Sequence, residues 1–306
     1  MSKPSLVNGV FLLNKPTGIT SNRALQISKQ LLAAAKAGHT GTLDPMAQGL
    51  LPICLGQATR FSSALLQADK TYVATMRLGY ASNTGDAEGT IEQLVNVDAI
   101  SAKLNFQHIT DAVYSFLGKS SQIPPMYSAL KKDGKALYRY AREGITIARK
   151  PREIFIYDIS IDTWSGKEMT ITVRCGSGTF IRTLAEDIAK KIGYGGAYLT
   201  TLVRIGIGPF GLAQANTLEQ LEQEPQISRT RFLQPVDCLL QDLPHTTLDS
   251  QEVWQFQQGQ AIRKATTANH QLQDGMLRVY DENNHFLGLA VWQENETLVP
   301  KKVLLA

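Results

Sequence analysis

A single aspartate in a glycine-rich loop is the residue of this chain best placed to do chemistry. The loop holds Asp44 together with Gly38, Gly41 and Gly49, just before an apolar run. Glycines give a loop backbone conformations that other residues avoid, and they let another molecule approach the main chain closely. A carboxylate held in such a loop can act as a nucleophile.

A purely structural role is the simplest alternative for the same aspartate. Asp44 precedes Pro45, and this pair is also a good helix start, because the aspartate accepts from free amides and proline fits the first helical position. Taken alone, the pair predicts a helix cap. The length of the surrounding glycine-rich block favours a functional loop instead.

The whole block closely resembles the catalytic motif of the TruB family of tRNA pseudouridine synthases. Residues 38–52 read GHTGTLDPMAQGLLP, and the similarity continues through residue 60. In that family the aspartate is the essential nucleophile, so the resemblance implies that Asp44 is catalytic. The resemblance is strong over residues 9 to about 210 and weaker beyond them.

Two further residues stand in segments similar to family motifs. Arg182 follows a Gly-Ser-Gly-Thr lead-in to a predicted helix; an exposed arginine is the simpler interpretation from sequence alone, but the resemblance implies that it pairs with Asp44. Tyr72 lies on a predicted strand, where an aromatic residue is ordinary. Its Lys-x-Tyr motif implies stacking on the flipped uracil, with the hydroxyl near C5 as the route for proton removal.

Four more residues are expected at the substrate by resemblance. His39 would contact the RNA where the target base leaves the stack, although a lone histidine is more often structural. Leu202 would line the uracil pocket, which is compatible with its periodic core position. Phe180 stands where relatives often carry tyrosine, so a hydroxyl contact is missing while packing on the base remains. Lys15 is also expected to bind substrate.

A basic segment occupies the middle of the chain. Residues 119–152 hold nine lysines and arginines against two acids, interleaved with tyrosines. Charge runs are usually solvated, yet basic and aromatic residues together suit phosphate contact and base stacking. Residues 122–144 closely resemble the family's mobile thumb. We therefore expect a lid that orders over the T arm of tRNA, with RNA contacts from Lys131, Lys132 and Lys135.

The elements that must position these residues are predicted as a mixture of strands and helices. Strand patterns cover residues 9–13, 71–79, 154–164 and 168–175, and the last two alternate like paired strands joined by a turn at residues 165–167. Helical spacing covers residues 21 to about 35 and 180–192, with shorter helices near 99–104 and 109–116. Without a regular β-α-β repeat, the pattern predicts an α+β fold. The resemblance implies a pseudouridine synthase catalytic domain with a central mixed or antiparallel sheet and flanking helices.

A second, smaller domain is predicted at the end of the chain. Residues 212–251 are rich in Gln, Glu, Thr and Pro and indicate a connecting region with short helices. Beyond it, strands are predicted at 275–281, 286–292 and 302–304, with a hairpin turn at 281–284. We expect a catalytic domain over residues 1–245. Residues 246–306 resemble the β-rich, RNA-binding PUA-like appendage of the family.

Composition sets limits on what the protein is. The chain has 306 residues, 43% hydrophobic and 19% charged, which predicts a globular protein of about two domains. Its net charge of +4 suits a polyanionic partner without establishing one. The three cysteines, Cys54, Cys175 and Cys238, lack metal-ligand spacing and predict buried thiols. No apolar run is long enough for a membrane span, so we expect a cytoplasmic protein without metal or other cofactor.

One hypothesis and two alternatives follow. The resemblance implies a monomeric, stand-alone bacterial-type enzyme without an obligate protein partner, which flips uridine 55 out of the T stem-loop of tRNA and isomerises it to pseudouridine. An RNA-binding or tRNA-folding protein whose main role needs no catalysis is the alternative; intact Asp44, Tyr72 and Arg182 argue against it. A phosphate-binding enzyme using residues 38–42 is disfavoured, because the loop lacks the Gly-Lys-Ser/Thr ending of a P-loop.

Overall fold

A computed structural model describes residues 7–263, 275–293 and 296–304 of the chain. The strands are β1 Gly9–Lys15, β2 Ala37–His39, β3 Gln48–Leu55, β4 Lys70–Leu78, β5 Tyr80–Ser82, β6 Ile91–Gln93, β7 Gly118–Gln122, β8 Lys131–Lys132, β9 Lys135–Ala136, β10 Arg152–Trp164, β11 Glu168–Cys175, β12 Ala197–Ile207, β13 Phe210–Gly211, β14 Leu233–Gln234, β15 His245–Leu248, β16 Ile262–Arg263, β17 Gly275–Asp281, β18 Phe286–Gln293 and β19 Thr297–Val303. The helices are α1 Ser21–Leu31, α2 Ser63–Leu66, α3 Val97–Ser101, α4 Phe106–Tyr114, α5 Leu137–Arg142, α6 Ile181–Ile192, α7 Leu218–Gln223 and α8 Ser250–Gln257.

Two sheets organise these elements. The first has the strand order β14-β1-β3-β12-β4-β11-β10-β7, with β2 added to β3 and β13 added to β12. Its neighbours are antiparallel apart from β3 and β12, which run parallel. The second sheet has the order β15-β17-β18-β19-β16. A mixed central sheet with separate helices and a C-terminal β sheet confirms the α+β prediction.

The main hydrophobic core lies between the first sheet and its helices. Helix α6 buries Ile181, Leu184 and Ile188, which recur at helical spacing and therefore lie on one face. The helix ends at Gly193, whose φ of +112° provides the left-handed turn that commonly terminates helices. This packing fixes the first turn of α6, which contains Arg182, against the sheet.

Several predicted elements differ in detail from the structure. Helix α1 begins at Ser21, capped by Thr20, but it ends at Leu31 rather than near residue 35, because the chain turns at Ala33 with a positive φ. The helix-cap interpretation of Asp44 is wrong: residues 41–47 form no helix and lead directly into strand β3.

The C-terminal sheet follows its predicted strands closely. Strand β17 has the predicted bounds, while β19 begins at Thr297, earlier than expected. Arg60 Nη1 donates to the carbonyl of Val303 at 2.6 Å, and Lys302 Nζ donates to the carbonyl of Arg60 at 2.7 Å. The C-terminal sheet therefore contacts the 3₁₀ helix Gly56–Arg60, which follows β3. The domain boundary near residue 245 stays a prediction.

The structure also bears on the expectations of buried thiols and of a chain without a membrane span. Cys54, Cys175 and Cys238 are free and buried, as predicted. Within the described ranges, no helix combines the length and apolar character needed to cross a membrane.

Candidate active site

A cleft of about 360 Å³ opens beside the glycine-rich loop. Its walls come from that loop, the start of β4, the turn before α6, the first turn of α6, strand β12 and residues 128–130 of the basic segment. The cleft brings together five residues that the sequence predicted for the site: Asp44, Tyr72, Phe180, Arg182 and Leu202.

The loop that presents Asp44 is held by contacts to the start of the chain. Ser21 Oγ donates to the carbonyl of Leu43 at 2.8 Å and accepts from its amide at 2.8 Å. The amide of Gly18 donates to the carbonyl of Pro45 at 2.9 Å. Because both neighbours of Asp44 are tied down, the carboxylate has a defined position without making these bonds itself.

Glycine is required where this loop enters the sheet. Gly49 has a φ of +103°, and a Cβ atom built on it would lie 2.3 Å from the carbonyl oxygen of Arg204 on strand β12. No side chain fits in that space. The glycine therefore lets β3 pair closely with β12 directly behind the loop.

An ion pair joins Asp44 to Arg182. The distance between Arg182 Nη2 and Asp44 Oδ2 is 2.9 Å, with the arginine side chain 6% exposed and the aspartate side chain 37% exposed. The guanidinium also donates to the carbonyls of Thr84, at 2.6 Å, and Tyr127, at 2.8 Å. A cation fixed in this way orients the carboxylate while leaving it accessible from the cleft.

A second carboxylate, which the sequence analysis missed, lies behind Arg182. Asp86 Oδ2 is 3.7 Å from Arg182 Nη1, and Asp86 is almost fully buried. Its Oδ1 accepts from Thr84 Oγ1 at 2.6 Å and from the amide of Glu88 at 3.1 Å. Like Asp44, it sits in a loop with glycines on either side, at Gly85 and Gly89, and this similarity is the signal that could have found it.

Burial and neighbouring charges set the pKa of Asp44 in opposite directions. Burial raises the pKa of the carboxyl above its usual value, and the nearby Asp86 raises it further. The Arg182 cation, through its charge and its hydrogen bond, lowers the pKa. The net direction is upward, so Asp44 is a stronger base than an exposed aspartate.

Tyr72, Leu202 and Phe180 supply apolar surface next to the carboxylate. Tyr72 on β4 is directly opposite Arg204 on β12, and Leu202 is opposite Ala74, so their side chains share one face of the sheet. Phe180 is held by Gln122, whose amide oxygen accepts from the Phe180 amide at 2.8 Å and whose amide nitrogen donates to the Phe180 carbonyl at 3.1 Å. The sequence analysis did not identify Gln122.

Lys15 and His39 lie outside the cleft wall. Lys15 is fully buried, and its Nζ donates to the carbonyls of Pro16 at 2.8 Å and Ile19 at 2.7 Å. Burial lowers the pKa of Lys15 to about 8. In this structure the ammonium group of Lys15 supports the loop after β1, and the predicted contact between Lys15 and substrate stays a prediction. His39 is half-buried on β2, and burial lowers its pKa as well.

The basic segment forms a small projection beside the cleft. Strands β8 and β9 pair as a hairpin in which Lys131 and Lys132 are exposed. Lys135 Nζ lies 2.7 Å from Glu143 Oε1 and 4.4 Å from the ring centroid of Tyr140. Part of the predicted RNA-binding charge is therefore neutralised within the segment itself.

Comparison with known proteins gives a consistent result. A family model described as the TruB family pseudouridylate synthase N-terminal domain matches residues 29–181, and a model of the C-terminal part of pseudouridine synthase II TruB matches residues 244–304. The tRNA pseudouridine synthase B of Nitrosomonas europaea is 60% identical, covering 96% of this chain and 94% of the relative. That of Nitrosospira multiformis is 50% identical, covering 97% and 96%.

Solved structures agree on the fold. One chain of a Cbf5-Nop10-Gar1 complex matches with a TM-score of 0.70 and 25% identity, covering 96% of this chain and 84% of that one. The structural similarity thus extends over both sheets. The sequence matches to the two relatives cover almost the whole length of those proteins. From these matches and the geometry of the cleft, we conclude that the chain belongs to the TruB family of pseudouridine synthases.

Proposed function

We propose that this enzyme isomerises uridine 55 in the T loop of tRNA to pseudouridine, with Asp44 as the nucleophile. The observation that carries the proposal is the ion pair between Asp44 and Arg182 at the wall of a cleft that also holds Tyr72. Relatives named as tRNA pseudouridine synthases support tRNA as the substrate. The position within the tRNA follows from the resemblance of the loop motif.

The reaction requires that the bond between uracil N1 and the ribose break, that the base turn, and that C5 join the sugar. Asp44 is partly exposed to the cleft and held by Arg182, which suits a carboxylate that attacks the substrate. Tyr72, Phe180 and Leu202 form the apolar walls that keep the detached uracil in place. In this scheme the Tyr72 oxygen, in its phenolate form, takes the C5 proton and becomes a hydroxyl.

The uridine must leave the stacked loop before it can enter this cleft. Enzymes that act on a base commonly extrude it into a pocket lined by apolar and aromatic side chains, and the cleft beside Asp44 has such a lining. We assign the contacts with the flanking RNA to the hairpin of Lys131 and Lys132, to Lys135, and to His39. The enzyme acts as a monomer without an obligate protein partner in this proposal.

The test compares the wild-type enzyme with Asp44→Asn, which keeps the size of the side chain and removes its charge. Each protein is incubated with an unmodified tRNA transcript without metal or nucleotide, and pseudouridine is mapped by reverse-transcription stops after carbodiimide labelling. We expect a single stop at uridine 55 with the wild type and none with Asp44→Asn.

Two controls separate the alternatives. A transcript with cytidine at position 55 should give no stop, and Asp44→Asn should still bind tRNA in a filter assay. Stops at another uridine would contradict the position. A wild-type protein that binds and folds tRNA without giving any stop would favour the non-catalytic RNA-folding alternative.

A further inference from the structure

A second buried arginine faces the cleft without a function assigned so far. Arg204 is 1% exposed and lines the cleft. Its Nε donates to the carbonyl of Leu50 at 2.7 Å, and its Nη2 donates to the carbonyl of Gly41 at 3.1 Å. Two elements, β3 and the glycine-rich loop, therefore fix the guanidinium rigidly.

The two buried arginines, Arg204 and Arg182, differ in whether a carboxylate lies beside the guanidinium group. Arg182 lies between two carboxylates, whereas no carboxylate among the described residues lies within ion-pair distance of Arg204. A buried cation without an anionic partner is costly. Such a charge is retained most readily where a negative charge develops beside it during function.

The group beside Arg204 is the phenol of Tyr72. The two residues are directly opposite each other on the antiparallel strands β12 and β4, so their side chains lie on the same face. The register shifts at the residue after Arg204, and bulges of this kind redirect side chains next to active sites. The backbone thus brings one fixed guanidinium to one cleft-lining tyrosine.

Other ionisable groups also surround this phenol. Lys70 lies on the same face of β4, with its Nζ bonded to the carbonyls of Leu66 and Ala68 at 2.8 and 2.6 Å. The Cys175 thiol on β11 and the Asp44 carboxylate on the loop also act on Tyr72. Burial raises the pKa of the Tyr72 hydroxyl. Arg204 lowers this pKa through its charge and its hydrogen bond, whereas Cys175 and Asp44 raise it further.

We propose that Arg204 is a positioning residue for the isomerisation, which holds the Tyr72 ring in place and stabilises its phenolate while that oxygen takes the proton from uracil C5. The inference rests on the proposed function. In the balanced step, the C5–H bond of the C5-linked intermediate breaks and its proton passes to the Tyr72 oxygen. The C5–H electron pair forms the C5=C6 bond, the C6=N1 pair moves to N1, N1 takes up a proton, and Tyr72 later releases its proton to solvent.

The direct test measures ionisation at Tyr72 without RNA. 3-Fluorotyrosine is incorporated at position 72 alone, and its ¹⁹F signal is followed against pH in the wild type, Arg204→Lys and Arg204→Gln. We expect the midpoint to rise by about one pH unit or more in Arg204→Gln, a tenfold change in the ionisation constant, and by less in Arg204→Lys. Arg229→Gln is the matched control, because Arg229 also binds backbone carbonyls, those of Leu31 and Glu224; its midpoint should not move.

A kinetic measurement links this ionisation to the reaction. With ordinary tyrosine at position 72, single-turnover formation of pseudouridine at pH 8 should slow by about tenfold in Arg204→Gln. 3-Fluorotyrosine is the more acidic phenol and should restore part of that rate, which a purely structural defect would not allow. If Arg204→Gln does not fold, Arg204→Lys is used for both measurements.

The outcomes are distinguishable. An unmoved midpoint in an active enzyme, or a rate loss that the more acidic phenol does not relieve, overturns the role of Arg204 and leaves the proposed function intact. A wild-type enzyme that forms no pseudouridine overturns the proposed function, whatever the titration gives.

Discussion

At the scale of single residues, the site depends on one arginine placed between two carboxylates. Arg182 contacts Asp44 at 2.9 Å and lies 3.7 Å from Asp86. Removing one partner of a buried ion pair costs far more than the pair contributes, because the remaining charge stays buried. Neutralising Arg182 and neutralising Asp86 should therefore move the pKa of Asp44 in opposite directions.

Arg182→Gln should move the acid limb of the activity profile to higher pH. Without the cation, the pKa of Asp44 rises further above its usual value, since burial and Asp86 are then opposed only by the charge of Lys15. Activity requires the ionised carboxylate, and losing its oriented partner should lower the single-turnover rate by about 10²-fold or more. The measurement is the rate of pseudouridine formation from pH 5 to pH 9 at saturating tRNA.

Asp86→Asn is the matched counterpart of that change. Asp86 raises the pKa of Asp44, so its neutralisation should move the acid limb to lower pH, the reverse of Arg182→Gln. If Arg182→Gln and Asp86→Asn both shift the acid limb in the same direction, or both leave it in place, Asp44 does not control the acid limb.

The residues found from sequence and those missed differ in how their roles arise. Asp44 and Arg182 lie in long local motifs, so the residues next to them in the sequence identify them. Arg204 depends on contacts with Gly41, 163 positions away in the chain, and Gln122 depends on Phe180, 58 positions away. Local patterns carry no information about which distant backbone groups a buried side chain will meet.

At the scale of elements, the parallel pairing of β3 with β12 places the catalytic loop. The sequence predicted neither the strand order nor this pairing. Strand β3 is an almost continuous buried run, whereas β12 alternates between buried and partly exposed residues, and the partners of both strands are set by tertiary packing. The antiparallel hairpin of β10 and β11 was predicted, since its strands alternate and its turn at residues 165–167 is local.

Gly49→Ala tests this pairing. The added methyl group would lie 2.3 Å from the Arg204 carbonyl oxygen at a φ of +103°, so β3 and β12 must separate. We expect the free energy of unfolding to fall by about 3 kcal/mol, measured by urea denaturation. Gly211→Ala is the control, because nothing lies within 4 Å of its Cβ position, and it should change stability by less than about 0.5 kcal/mol. Equal effects at both sites would contradict the close approach.

The hairpin of β8 and β9 should contribute to RNA affinity rather than to chemistry. Replacing Lys131, Lys132 and Lys135 with alanine should weaken tRNA binding and reduce the slope of log K against log salt by about 2. The exposed Lys131 and Lys132 account for most of this change, because Lys135 is paired with Glu143. Binding is measured over a salt series, together with the single-turnover rate at saturating tRNA.

Lys103→Ala, at another exposed lysine, is the control for this experiment and should leave the salt slope unchanged. The single-turnover rate of the triple variant should stay close to that of the wild type. An unaltered salt slope in the triple variant would remove the hairpin from the RNA interface.

At the scale of the whole molecule, the two sheets are joined by polar and aromatic contacts. Tyr280 on β17 donates to Asp237 Oδ2 at 2.6 Å, and the rings of Phe61 and Phe286 are 5.7 Å apart. These contacts connect the C-terminal sheet to the segments around β3, the strand behind the catalytic loop. Changes in stability at the site should therefore be visible in the unfolding of the whole chain.

The pH dependence of overall stability should reflect the buried cations beneath the cleft. Burial lowers the pKa of Lys15 and of Lys70 from 10.5 to about 8. Above pH 8 the unfolded chain therefore binds more protons at these lysines than the native one, and the free energy of unfolding rises with pH. Burial raises the pKa of Cys175 from 9.0 to about 11, and of Cys54 and Cys238 to about 12.

Above pH 9 the native state therefore retains thiol protons that the unfolded chain loses, and stability falls again. Urea denaturation under reducing conditions should give a maximum near pH 9, with a rise from pH 7.5 that is smaller in Lys15→Met. A steady decline from pH 7.5 in the wild type would mean that the two lysines keep their ordinary pKa in the folded protein. The charged ammonium groups of Lys15 and Lys70 would then destabilise the folded protein less than their burial implies.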